Sequence, residues 1–209
     1  MFDRLRRWIG RQVLEIGSGI GNLSAFLVDA ERLVLTDTRR EYLDRLRTRF
    51  AGHPHIEVER LYLPNEDSAL AGQRFDTIIC LNVLEHVEND VASLAAMRNL
   101  LVPSGRLVLL VPALPVLYGS LDRALGHYRR YTPGQLAAKV QGAGYRVRHI
   151  EYFNVAGIPG WWLAGRVLRR TVIPVGPLRL YDALVPLFRL ERLIPWRVGQ
   201  SLIVIGEAV

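Results

Sequence analysis

Residues 13–22 read VLEIGSGIGN, an apolar run that stops at three alternating glycines, Gly17, Gly19 and Gly21. Glycine there permits a tight turn and lets a ligand approach the backbone, because it adopts left-handed backbone angles without steric cost. A helix is expected directly after the loop, over 22–28, with its free N-terminal N–H groups facing the ligand. The next apolar run, RLVLTD at 32–37, ends in Asp37, sixteen residues beyond Gly21. A carboxylate at that strand end can accept from ribose hydroxyls. The dinucleotide fingerprint G-x-G-x-x-G places its last glycine one position later than Gly21. Loop, acid and strand order together constrain the chain to a nucleoside-binding α/β sheet.

The rest of the chain repeats strand and helix. Strands are expected at 12–16, 32–36, 56–63, 75–81, 106–111, 145–152 and 201–208, and helices at 40–50, 89–101 and from Thr132-Pro133 to the glycines at 142–144. Pro103-Ser104-Gly105 reads as a turn. Such alternation implies a doubly wound sheet covered on both faces. Segments 112–131 and 154–199 break the pattern and are expected to be substrate lids or insertions on one domain spanning 1–209.

Of 209 residues, 50% are hydrophobic and 22% charged, which excludes a disordered chain. The longest stretch without charge, 107–121, is interrupted by Pro112 and Pro115, so no membrane span is expected. Asp3, Arg4, Arg6 and Arg7 exclude the apolar core of a signal peptide at the start. Cys80 is the one cysteine, which rules out an internal disulfide and suits a reducing, cytoplasmic setting. Residues 1–112 carry a net charge of −1 and residues 113–209 a net of +8. The basic half either faces something anionic or is an arginine-decorated solvated surface.

With the loop, Asp37, RFDTIICLNVLEHV (74–87) and LVPSGRLVLLVP (101–112) in view, the chain resembles the class I S-adenosylmethionine-dependent methyltransferases. LDRALGHYRRYTPGQL (121–136) is similar to a bacterial subgroup often encoded beside sugar transferases of cell-envelope synthesis. The resemblance implies a Rossmann-like sheet of seven strands, mostly parallel with 201–208 antiparallel, a C-terminal helical insertion, and S-adenosylmethionine as cofactor. Carried over, Glu15 holds the methionine ammonium, Gly17, Ser18 and Gly19 pass beneath the cofactor, Asp37 and Thr38 hold the ribose, and Asn82 and Val83 line the methionine side. Many relatives place an aspartate after the third strand to accept from the adenine amino group. Here that place is Tyr62, with the backbone of Leu61 and Leu63 or the pair Glu66-Asp67 as substitutes.

Methyl transfer requires in-line placement of an acceptor and removal of its proton. The acceptor is expected above the carboxyl ends of the fourth and fifth strands. Asn82, Glu85, His86, Tyr118, Asp122, His127, Tyr128, Arg129, Arg130 and Tyr131 can reach that edge. His127 is the candidate base, with Asp122 beside it. Its other reading is a loop histidine that only bonds Asp122 or the backbone. His86, Tyr118, Arg129, Arg130 and Tyr131 are candidate acceptor contacts, the arginines for an anionic group. No Cys/His cluster suits zinc, and the histidines look too scattered for a metal site.

The expected activity is methylation of a small molecule, most readily on the oxygen of a sugar, a lipid-linked or another apolar acceptor. An RNA methyltransferase and a non-catalytic cofactor-binding scaffold are the alternatives, although the aromatic residues lack the spacing of a nucleic-acid stacking surface. At 100° per residue, Trp161, Leu163, Ala164, Val167 and Leu168 share one side of a helix, opposite Arg166, Arg169 and Arg170. Trp196, Phe188, Arg189 and Arg192 repeat that composition. Such a segment either packs as a lid or touches a membrane weakly and peripherally.

Overall fold

The computed structural model describes residues 1–64, 70–172 and 198–209. Among them, seven strands form one sheet in the order β3-β2-β1-β4-β5-β7-β6. The strands are β1 (Gln12–Ile16), β2 (Arg32–Asp37), β3 (Ile56–Arg60), β4 (Phe75–Leu81), β5 (Leu101–Pro112), β6 (Tyr145–Phe153) and β7 (Ser201–Ala208). β1 pairs in parallel with β2 and β4, β2 with β3, and β4 with β5. β7 runs antiparallel between β5 and β6. This is the Rossmann-like seven-stranded sheet with one reversed strand that the family resemblance implied.

The sheet's central strands are apolar on both sides because both faces are covered. Leu14, Ile78, Cys80, Leu107, Leu109 and Val111 point to one core with Leu94, Met97, Leu136 and Val140. Val13, Ile79, Val108 and Leu110, the intervening residues, point to a second core with Leu5, Leu46 and Phe50. The first face carries α3 (Asp90–Asn99) and α5 (Pro133–Gly142), and the second carries α1 (Phe2–Leu5) and α2 (Arg40–Arg49). Helix starts follow their capping chemistry. Asn89 Oδ1 accepts from the Ala92 N–H at 3.0 Å, and Thr132 and Gln135 cap each other reciprocally with Pro133 in the first turn.

Three local expectations change. No α-helix follows the glycine loop; residues 22–28 hold only a single 3-10 turn at Ser24–Phe26. Gly17, Gly19 and Gly21 all have positive φ, at 75, 57 and 81°, so the chain turns repeatedly instead of entering a helix. The Pro103-Ser104-Gly105 turn lies inside β5 as an irregularity. Phe75 pairs with Leu101 and Thr77 already with Arg106, so the extra residues bulge out of register, with Ser104 at φ 60°. The third strand stops at Arg60 rather than 63.

Beyond β5, residues 112–131 form a 3-10 turn at Pro115–Leu117, then α4 (Ser120–Ala124), then a return segment whose Tyr131 bridges to Ala113. After β6, α6 (Gly157–Trp162) leads into a π-helical turn, Leu163–Val167. It packs on α4 through small residues. Gly165 lies against Leu121, and Ser120 Oγ donates to its carbonyl at 3.0 Å. The expected apolar side therefore splits: Gly165 is buried and Trp161 and Ala164 half-buried, while Leu163, Val167 and Leu168 are 47–50% exposed. Trp196, Phe188, Arg189 and Arg192 lie outside the described residues, as do Glu66 and Asp67. No helix among the described residues is long and apolar enough to cross a membrane.

Candidate functional site

A cleft of about 880 Å³ opens at the carboxyl ends of β1 and β4, lined among others by Glu15, Gly17, Ser18, Gly19 and Asn82. Several of the loop's own N–H groups are already bonded within the protein. Gly17 and Ser18 both donate to the Thr36 carbonyl, at 2.9 and 2.8 Å, and Gly21 donates to Ser18. Asp37 accepts from the Gly19 N–H at 3.0 Å and from the Arg39 N–H at 2.9 Å. The loop thus presents a carboxylate suited to hydroxyls rather than the free helix N-terminus that phosphates use.

Two glycines are needed for different reasons. A Cβ on Gly17 would stand 2.3 Å from Val83 Cγ2, so this glycine lets Val83 close on the loop. A Cβ on Gly19 would meet nothing within 4 Å, which leaves free space above the loop. Glu15 is buried, with Oε2 accepting from Ser24 Oγ at 2.5 Å. Burial pushes its carboxyl up to about 7, against the hydrogen bonds from Ser24 and Ser18. Asn82 takes φ 54° just past β4, a conformation asparagine tolerates. Tyr62 is exposed, and its hydroxyl donates to the Thr38 carbonyl at 3.3 Å, laying the ring beside the Asp37–Thr38 corner; Leu63 is half-buried against the core. Sequence reasoning missed the N-terminal contribution: Met1, Phe2, Asp3 and Arg6 also line the cleft, and Phe2 stacks on Phe26 at 5.2 Å. FDRLRRW was read only for its charge, although Phe2 and Leu5 both pack on the second core.

The second group of predicted residues gathers around Asp122, which is fully buried. Its Oδ1 receives His127 Nδ1 at 3.0 Å and Arg130 Nε at 2.7 Å, and its Oδ2 receives the Gly119 N–H at 2.9 Å and Trp161 Nε1 at 3.1 Å. Burial opposes its charge, but these hydrogen bonds and the Arg130 guanidinium outweigh it and hold the carboxyl down at about 2. An ionised carboxylate can only accept, so His127 Nδ1 carries the proton and Nε2 is left with its lone pair. Tyr118 donates to the His127 carbonyl at 2.8 Å, and the Tyr128 N–H to the Glu85 carbonyl at 2.8 Å. That backbone bond brings His86 and His127 edge to face, 4.7 Å between ring centres.

The remaining candidates are placed otherwise than expected. Arg130 points inward, to Asp122 and the Ala113 carbonyl, not toward an open anion site. Arg129 pairs with Asp90 at 2.9 Å and bonds the Glu88 carbonyl. Tyr131 is buried, its hydroxyl donating to Asp90 Oδ2 at 3.0 Å. These three brace the return loop because Asp90, at the start of α3, and Asp122 are buried acids that require cationic or hydroxyl partners. The scattered-histidine reading also changes. Donor atoms of Glu85, His86 and His127 lie within 4.8 Å of one another.

Residues 14–107 match the family described as "Methyltransferase domain". That match takes in a little under half of the chain. The seven-stranded sheet is the fold of the class I methyltransferases. Solved structures agree in fold: an S-adenosylmethionine-dependent methyltransferase from Mesorhizobium loti superposes with a TM-score of 0.65 at 16% identity, over 99% of this chain and 96% of that one. The N-methyltransferase NodS from Bradyrhizobium japonicum, in complex with S-adenosylhomocysteine, gives 0.62 at 14% identity over 98% and 81%. A ubiquinone biosynthesis O-methyltransferase of Psychrobacter arcticus is 33% identical over 173 residues, 76% of this chain and 60% of that protein. An uncharacterised transposon protein of Streptomyces fradiae is 30% identical over 142 residues, 63% of this chain and 40% of that one. The chain thus spans less than two thirds of these curated relatives' length.

Proposed function

We propose that the protein transfers a methyl group from S-adenosylmethionine to an oxygen of a small apolar or lipid-linked acceptor. The observation that carries this reading is the pairing, at one sheet edge, of the cleft floored by Gly19 with a His127 imidazole oriented by Asp122. The residues fit the cofactor. The open space over Gly19 admits its body, the buried Glu15 carboxyl is suited to an ammonium, and Asp37 retains lone pairs for ribose hydroxyls. Bound there, S-adenosylmethionine supplies a methyl group on a positively charged sulfur, which departs as a neutral thioether as an acceptor oxygen takes the methyl.

In this reading His127 Nε2 accepts the hydroxyl proton, and Asp122 stabilises the imidazolium that results. Arg130 and Trp161 keep Asp122 ionised and in place. Ser18 and Thr38 complete the loop, and Asn82, Val83, Tyr62 and Leu63 form the walls around the donor. The segments 112–131 and 154–172 stand over the acceptor's place. An apolar acceptor is favoured by the exposed Trp162, Leu163, Val167 and Leu168 beside this edge, and by relatives named for the biosynthesis of ubiquinone, a lipid. Arg166, Arg169 and Arg170 stand among those apolar side chains, a composition that suits weak peripheral contact with an anionic membrane. The RNA alternative loses ground because Arg129, Arg130, Lys139 and Arg148 of the basic half are all in ion pairs.

The test is a labelled-methyl cofactor added to lipid and aqueous extracts, with mass spectrometry of the products and calorimetric titration of the cofactor. A methylated apolar product supports the reading, and cofactor binding without any product favours the scaffold. Absence of cofactor binding overturns both. Flotation on anionic vesicles at low and high salt tests the membrane contact, and equal absence from anionic and neutral vesicles at low salt removes it.

A further inference from the structure

Glu85 is 1% exposed, and its Oε2 finds no hydrogen-bond donor among the described residues. A buried carboxylate oxygen without a partner is costly, and native structures leave few of them. Beside it stand two imidazoles, of which His127 is already held from behind. His127 Nδ1 is committed to Asp122, which leaves Nε2 outward, and the His86 ring stands edge to face with the His127 ring. A metal-binding histidine is ordinarily held in this way, one nitrogen on a carboxylate or carbonyl and the other on the ion.

We propose that Glu85, His86 and His127 bind one divalent transition-metal ion. Their donor atoms lie within 4.8 Å of one another, whereas an ion with bonds near 2.1 Å holds its donors about 3–3.5 Å apart. The contraction is small, and His86, being exposed, can supply it by rotation. Two imidazoles and one carboxylate select zinc, cobalt, manganese or iron over magnesium or calcium, which prefer all-oxygen sets. Three protein ligands leave at least one position open. Resting on the methyl-transfer reading, that position takes the acceptor's oxygen, and the ion makes its hydroxyl acidic near neutral pH. His127 cannot ligate and accept a proton through the same nitrogen, so in the loaded form the ion would lower the hydroxyl's pKa and the released proton would pass to solvent water. The sequence hides this site because His127 is over forty residues from Glu85-His86, and contacts such as the Tyr128-to-Glu85 backbone bond join them only in the fold.

The experiment is a calorimetric titration of the chelator-treated chain with Zn²⁺, and with Co²⁺ followed by its visible spectrum. One equivalent bound per chain, weakened at least tenfold by His86→Ala and by His127→Ala, is the expected result. His53→Ala with His55→Ala, a histidine pair 5.9 Å apart beside α2, should leave binding unchanged. His86 is exposed, so His86→Ala should fold; Glu85→Gln, if it folds, should weaken binding equally. No saturable binding of either ion, or binding unchanged in the His86→Ala, His127→Ala double variant, overturns the site. Cofactor binding is measured separately on the same samples. A chain that binds S-adenosylmethionine but no metal ends this inference and leaves the proposed activity standing, and metal binding without cofactor binding does the reverse.

Discussion

The indole N–H of Trp161 reaches Oδ2 of Asp122 at 3.1 Å across thirty-nine residues of chain. Arg130 stacks its guanidinium 4.9 Å from the same indole and holds Oδ1 through Nε. One residue of the segment beyond β6 is therefore the fourth donor to the carboxylate that orients His127. Docking of α6 and orientation of the candidate base are the same event, and Gly119 permits it: a Cβ there would stand 2.6 Å from the Gly165 carbonyl oxygen.

Trp161→Phe should keep the cation–π stacking and lose the hydrogen bond. The expected cost is about 1–2 kcal/mol in stability, since a bond to a charged group is removed. Turnover should fall about three- to tenfold, with cofactor affinity unchanged because Trp161 does not line the Gly19 cleft. Melting curves, calorimetry and single-turnover rates measure the three quantities, and an equal loss of cofactor affinity would show that α6 acts on the whole cleft.

Gly19→Val should abolish cofactor binding while the chain still folds. Its side chain would enter space that is open in the fold, and a β-branched residue at φ 57° adds strain of about 1–3 kcal/mol. Asp37→Ala should weaken binding by about 1–3 kcal/mol, since hydroxyls would lose an acceptor. Wild-type affinity in both variants would place the cofactor elsewhere.

The strands and the nucleoside edge were legible because period-two and glycine patterns are local. The two cores follow directly from alternation in FDTIICL and RLVLLV. The missing helix after Gly21 was not legible, because three successive positive-φ glycines and the polar Asn22 and Ser24 favour turns over a helix that spacing alone suggested. His127 and Asp122 could be proposed from composition, but not their partners. That Arg130 and Tyr131 face buried acids, and that Glu85 meets two histidines, depends on how the return loop docks on β4 and β5, a long-range matter no local pattern encodes.

Glu15 gives a pH signature. Its carboxyl is lifted to about 7 in the fold from an ordinary 4.5, so the native chain holds a proton that the unfolded chain has released between these values. Stability should fall as pH rises from about 4.5 to 7, by about 3 kcal/mol from this group. An ammonium paired with Glu15 requires the ionised form, so cofactor affinity should rise with pH toward about 7, up to tenfold per unit. Glu15→Gln should flatten both curves; a wild-type affinity independent of pH would remove Glu15 from the ammonium's contacts.

Asp122 has the opposite sign. Its folded value of about 2 lies below the ordinary 3.8, so the stability it contributes is complete above about 4 and is lost as pH falls toward 2. The amount is about 2 kcal/mol for the charge alone. Asp122→Asn places an amide N–H₂ among four donors and strands the buried Arg130, a loss of about 3–5 kcal/mol at neutral pH. Denaturant unfolding of wild type and Asp122→Asn should therefore differ most at pH 6–7 and converge as pH falls through 4 to 2. If the Asn variant does not fold, Trp161→Phe provides the same comparison in milder form, since removing one donor raises the carboxyl and moves the acid transition to higher pH. A stability difference that stays constant from pH 7 to 3 would mean that Asp122 acts by shape, and that its charge does not hold the His127–Arg130 pair together.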